Sequence, residues 1–152
     1  MIPVAARRAG VNMESTDDLD AILGKQEPHA TFRDARLVAV SVDHHENEAV
    51  TTWNLCVGDP DDSMRAARER RRTGRLVLSG VLFWVMDAPQ ALDTRPGLPW
   101  LTEVTPLSEA PTEASRQLAR LLPVGTSGWC FSFASGNAHM YCGARKLAFE
   151  WA

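Results

Sequence analysis

Leu55-Cys-Val-Gly-Asp-Pro-Asp-Asp-Ser-Met-Arg-Ala-Ala-Arg-Glu-Arg-Arg-Arg-Thr-Gly-Arg-Leu76 places three aspartates and then six arginines between two apolar runs. The order of charges is that of a helix between strands. Ser63 suits an N-cap. Asp59, Asp61 and Asp62 lie at or before the positive end of the helix dipole, and Arg70, Arg71 and Arg72 lie in its last turn. Gly74 suits the C′ position. The stretch therefore predicts a short helix linking two strands. Arg65, set against the dipole in the first turn, and Arg75 are left over as candidate partner contacts.

Upstream, the pattern from Phe32 has period two. Val38, Val40 and Val42 alternate with Ala39 and Ser41, which predicts a half-buried strand. Asp43-His-His-Glu-Asn-Glu48 is a polar turn, and Trp53, Leu55 and Val57 share one face of the next strand. Downstream, Leu76 to Met86 is apolar on both faces, which predicts a central strand with a bulge or close approach at Gly80.

Residues 88–111 hold five of the nine prolines and read as an irregular crossing, with a short edge strand at Trp100-Leu101-Thr102. A helix is expected near Thr112 to Leu122, with Ala114, Leu118, Leu121 and Leu122 on one face and Pro123 as its stop. Trp129, Phe131 and Phe133 open a terminal hairpin. A two-residue turn at Gly136-Asn137 would pair Phe133 with Met140 and Phe131 with Cys142. The apolar parity flips beyond Gly143, so a bulge is expected there, and the last strand should be docked. Residues 1–26 read as a tail or short helix with Leu19, Ile22 and Leu23 as its apolar face, and Met13 is an alternative start. The expectation is one α+β domain over 27–152: a largely antiparallel β-sheet with meander connections, covered by two or three short helices.

With 152 residues, 45% hydrophobic and 23% charged, the chain has the composition of one globular domain. A net charge of −3 argues against a general nucleic-acid binder. The longest apolar run, Val81 to Met86, is too short to span a bilayer, and no apolar segment follows Arg7 and Arg8 as a secretion signal needs. No membrane association is expected, and the cytoplasm is the default location. Cys56, Cys130 and Cys142 are odd in number and lack CxxC spacing, so free thiols are expected rather than a disulfide or zinc framework.

Candidate chemistry is sparse. Cys56 with His44 or His45 would make a nucleophile and base, but the hairpin separates them by roughly 25 Å at about 3.3 Å per residue. His139 falls on the face of Cys130 without direct contact in the register above, and Tyr141 and Ser132 share that face. Asp59, Asp61 and Asp62 miss the EF-hand pattern, because Met64 and Arg70 stand where its glycine and glutamate belong. The arginine run lacks interleaved aromatics or a glycine-rich loop for phosphates. No catalytic residue, metal or cofactor is expected. The candidate binding residues are Arg65, Arg75, Trp84, Trp100 and Tyr141.

Phe32-Arg-Asp-Ala-Arg-Leu37, Leu55 to Pro60, Gly74 to Phe83, and the end from Trp129 through Asn137 to Trp151 resemble a group of small bacterial proteins of unknown function. Similar β-rich chains occur among immunity-type proteins of bacterial competition systems. There the first motif often reads His-Asp, where this chain has Arg33-Asp34. The resemblance spans roughly residues 32–151, implies a fold type and transfers no catalytic residue. The leading expectation is a non-catalytic binding or interaction protein, immunity-like in kind. The alternatives are a small enzyme or ligand-binding protein with a pocket lined by Trp84, Trp100 or Tyr141, and a homodimer formed through a strand edge.

Overall fold

The computed structural model describes residues 19–24, 26–86, 100–110, 112–134 and 138–152. Its elements are a 3-10 turn (Leu19–Ile22), β1 (Thr31–Asp43), β2 (Glu48–Cys56), α1 (Arg65–Arg68), β3 (Arg71–Met86), β4 (Leu101–Pro106), α2 (Glu113–Arg120), β5 (Ser127–Phe133) and β6 (His139–Trp151). The strands form one antiparallel sheet in the order β1-β2-β3-β6-β5-β4. β3 is central, as its two-sided apolar pattern predicts.

The α+β expectation fails. Of the described residues, 56% are in strands and 14% in helices, and the sheet curls into a half-barrel with one substantial helix, α2. The central pair, β3 with 16 residues and β6 with 13, carries the fold. Their curl lets the sheet's own side chains fill its concave face, so no helical layer is needed there. A single meander is also not what forms. The chain after β3 crosses to the far edge, so two three-stranded meanders meet at β3 and β6, and β4 comes to rest beside β1.

The linking helix shrinks to a single turn. Met64, not Ser63, occupies the N-cap, without a side-chain bond. The β2–β3 ladder already begins at Cys56↔Arg71, which takes Arg71 to Gly74 into the strand. Pairing with β2 thus overrides the helical charge pattern. Asp59 and Asp62 cap local turns instead, accepting from the backbone of Asp61 and Met64 at 2.8 Å each.

The concave core is aromatic. Fully buried Trp53 stacks on Phe131 at 5.5 Å and meets Phe32 edge-on at 5.7 Å between ring centroids. Its indole N–H donates to buried Thr51 Oγ1 at 2.8 Å. Leu19 from the 3-10 turn and Leu23 just after it join the same core. A second, smaller core lies on the convex face, where Leu118 and Ala119 of α2, with Leu122 just beyond it, pack over Leu107, Ala110, Cys130 and Tyr141. β5 and the first half of β6 are therefore buried on both faces, while β2, and β1 as far as Leu37, are covered on one.

Three local expectations change. The terminal hairpin pairs Phe131 with Met140 and Ser132 with His139, two residues from the predicted register. A shift of two leaves every side chain on its own face, so hydrophobic patterning cannot detect it. The proposed Gly136-Asn137 turn lies outside the described residues. The bulge expected near Gly143 falls on the facing strand: Val81 pairs with Ala144 and Phe83 with Gly143, leaving Leu82 extra. Val38, Val40 and Val42 are exposed rather than half-buried, because β1 contributes to the core only through Phe32, Ala35 and Leu37.

Candidate functional site

The arginine run disperses once folded. Arg65 pairs with Glu69 at 2.9 Å, Arg70 and Arg72 grip Glu27 at 2.8 and 3.0 Å, and Arg75 pairs with Glu150 at 3.0 Å. Arg68 caps carbonyls of Asp62 and Ser63. The hydrogen bonds from Arg72 and Arg70, against the cost of burial, hold the Glu27 carboxyl below the usual carboxylate range. These arginines act as structural ties. Arg65 and Arg75, singled out from the sequence, both have carboxylate partners, Glu69 one helical turn on and Glu150 on the paired strand β6.

Arg71 differs. Its Nε donates to Asn54 Oδ1, and its Nη2 donates to Asn54 O at 3.0 Å and to Asp34 O at 2.8 Å. All three acceptors are neutral. Asp34 presents that carbonyl from a left-handed backbone (φ 61°), within an irregular stretch of the β1–β2 ladder. Burial, and next the charge of Arg36, holds the Arg71 pKa below its ordinary value.

Arg36 arrives from β1. The pairing Arg36↔Asn54, together with alternate burial of Trp53 and Leu55, sets Arg36 and Asn54 on the convex side of the sheet. Trp100, just before β4, bridges to Arg36 across the seam where the curled sheet nearly closes. The Arg36 guanidinium carbon lies 4.0 Å from the Trp100 ring centroid, and that of Arg71 lies 6.0 Å from the same centroid. Trp100 remains 41% exposed, so the site is open to solvent.

Further along the seam a cleft of about 420 Å³ is lined by Leu19, Asp20, Thr31, Phe32, Arg33, Thr102, Glu103 and Val104. Asp20 closes one wall, accepting from Thr31 Oγ1 at 3.0 Å and from the Phe32 amide at 2.9 Å.

The convex core holds a polar group that the shifted hairpin register creates. Ser132 Oγ lies 3.1 Å from His139 Nδ1, and Cys130 Sγ lies 3.8 Å from the same nitrogen. The expected separation of His139 from Cys130 therefore does not hold. The imidazole stacks on Tyr141 at 5.9 Å, and the Tyr141 hydroxyl hydrogen-bonds Thr112 Oγ1 at 3.1 Å. Cys130 is fully buried and Ser132 is 8% exposed, so neither is presented as a nucleophile to solvent. The group ties β5 and β6 to the start of α2. Among the described residues, no three His, Cys, Asp or Glu side chains gather as a metal site.

Of the predicted aromatic residues, Trp100 alone reaches the seam site. Trp84, paired with Cys142, packs against the concave core, whereas Tyr141 belongs to the convex one. The sheet lies between them, so they share no pocket. Arg36, Asn54 and Arg71 were missed. Arg71 is one of a run of like residues, and nothing local separates it from Arg70 or Arg72. Arg36 meets it only through strand pairing. The chain matches no protein-family model, and no curated protein or solved structure is significantly similar to it.

Proposed function

We propose that the chain is a non-catalytic binding protein, immunity-like in kind, which takes a protein partner along the outer edge of β1. The observation that carries this is the state of residues 38–43. They pair with β2 on one side, and no strand lies on the other side among the described residues. Val38, Val40 and Val42 are 47%, 37% and 36% exposed. Edge strands are ordinarily blunted by charge, proline or a bulge. Val38 to Val42 carries neither charge nor proline, and beyond the bulge at Val38 the residues from Ala39 to Asp43 pair in unbroken register. Such an edge suits addition of a partner's strand, with main-chain bonds supplying affinity and the valines supplying contact.

Self-association through the same edge is the second reading, favoured by the uncharged Val-Ala-Val-Ser-Val sequence, which is near-symmetric about Val40. The cytoplasm is the setting we propose, which the three free thiols suit. No helix among the described residues is long and apolar enough to cross a membrane.

The test uses the full chain and the product of the adjacent gene. A co-purifying complex that is lost in Val40→Lys, with the variant's thermal melt retained, supports the reading. Sedimentation at two concentrations separates a homodimer from a heteromeric partner. A complex untouched by Val40→Lys overturns the edge as the binding surface, and an adjacent operon of metabolic enzymes overturns the immunity-like reading.

A further inference from the structure

We propose that Arg36 and Arg71, gathered around Trp100, form an oxyanion-binding site for a carboxylate or phosphate group. The proposal is independent of the β1 edge. Two guanidiniums share one indole ring on the convex side of the seam. Neither has a carboxylate oxygen within 4.0 Å among the described residues, whereas Arg65, Arg70, Arg72, Arg75 and Arg116 each have one.

The two arginines contribute different things. Arg71 is fixed by Asn54 and Asp34 through Nε and Nη2, which orients the group on neutral acceptors and leaves Nη1 without a hydrogen bond among the described residues. Arg36 donates no side-chain hydrogen bond to any described residue, and its Nε is buried without a partner. A buried donor of this kind is costly unless an acceptor arrives. The charge of Arg36 also acts against that of Arg71, and burial strengthens the repulsion. An oxyanion between them would satisfy the free donors and cancel the repulsion, and planar guanidinium forks match carboxylate and phosphate oxygens in pairs.

Asp34 stands beside the site. Its carboxylate acts on Arg71 behind burial, Arg36 and Cys56, and makes no ion pair with either arginine. Its carbonyl, rather than its carboxylate, is turned to the site. Asp34 thus shapes the site without filling it, and an arriving anion meets two cations with no ion-pair partner among the described residues.

The experiment is calorimetric titration of the full chain at low ionic strength with inorganic phosphate, and separately with acetate and succinate. Saturable binding is expected for one class, and the tighter class identifies the source of the oxyanion. Each guanidinium supplies charge-assisted hydrogen bonds, so Arg36→Gln or Arg71→Gln should weaken binding by roughly tenfold or more. Arg75→Gln, whose arginine already has Glu150, should bind as the wild type does. Asp34→Asn should bind as well as the wild type or better. If a glutamine variant fails to fold, the wild-type thermal midpoint decides: it should rise with phosphate or carboxylate beyond the rise with chloride at equal ionic strength. No saturable binding and no such rise, or an equal loss in Arg75→Gln, overturns the proposal.

Discussion

The ring of Phe149 lies directly on the backbone of Gly74: a β-carbon at that glycine would stand 2.3 Å from Phe149 Cζ. Gly74 belongs to β3 and Phe149 to β6, so the contact seals the central strand pair. Gly74→Ala must displace a ring that also meets Trp151 edge-on at 4.8 Å. The expected loss is about 1–3 kcal/mol, the usual cost of overpacking. A denaturation midpoint measures it, and Phe149→Leu in the same chain should recover part of the loss.

Thr51 and Trp53 test the concave core. Thr51→Val keeps the shape but removes the acceptor for the buried indole N–H. Leaving that donor unsatisfied should cost about 1–3 kcal/mol in urea unfolding. Trp53→Phe should cost at least as much, since it also opens space between Phe32 and Phe131.

Glu27 supplies a pH dependence with a definite sign. Its folded pKa is lowered, chiefly by the Arg72 hydrogen bond. Its contribution is therefore fully present above the unfolded carboxylate value of about 4.3 and is lost as pH falls through the lower folded value. Glu27→Gln should be less stable than the wild type at neutral pH, and the difference should shrink below about pH 4. Urea midpoints at neutral and acid pH check this.

These three sites show what sequence makes legible. The period-two runs located the strands, and Trp53, Leu55 and Val57 face the core as their spacing requires. The helical charge pattern over 59–74 misled, because an arginine run reads alike in a helix end and in a strand whose cations find acids elsewhere. The acid that holds Arg70 and Arg72 is Glu27, more than forty positions earlier. The seam site was hidden for the same reason: Arg36, Arg71 and Trp100 meet only after six strands have curled.

At α2, Thr112 Oγ1 accepts from the Ser115 amide at 3.1 Å as an N-cap and also contacts the Tyr141 hydroxyl. Thr112→Ala should lower stability by about 1 kcal/mol for the cap. Thr112→Ser retains a hydroxyl and should restore most of that loss, measured by thermal midpoint.

The thiols should separate by reactivity. Cys130 and Cys142 are fully buried, and burial pushes the Cys142 thiol up to about 12. Cys56 is partly accessible. Under native conditions a thiol reagent should modify Cys56 first, with the other two reacting only as the protein unfolds. Mass mapping after timed labelling identifies the order.

The half of the sheet built on β5 and β6 has no side to spare, because one core lies beneath it and another above. Nearly every residue from Gly128 to Phe133 and from Met140 to Ala144 is committed to packing. The β1–β2 half keeps one whole surface outside both cores. Descendants of this chain could therefore rewrite that surface while inheriting the other half almost letter for letter.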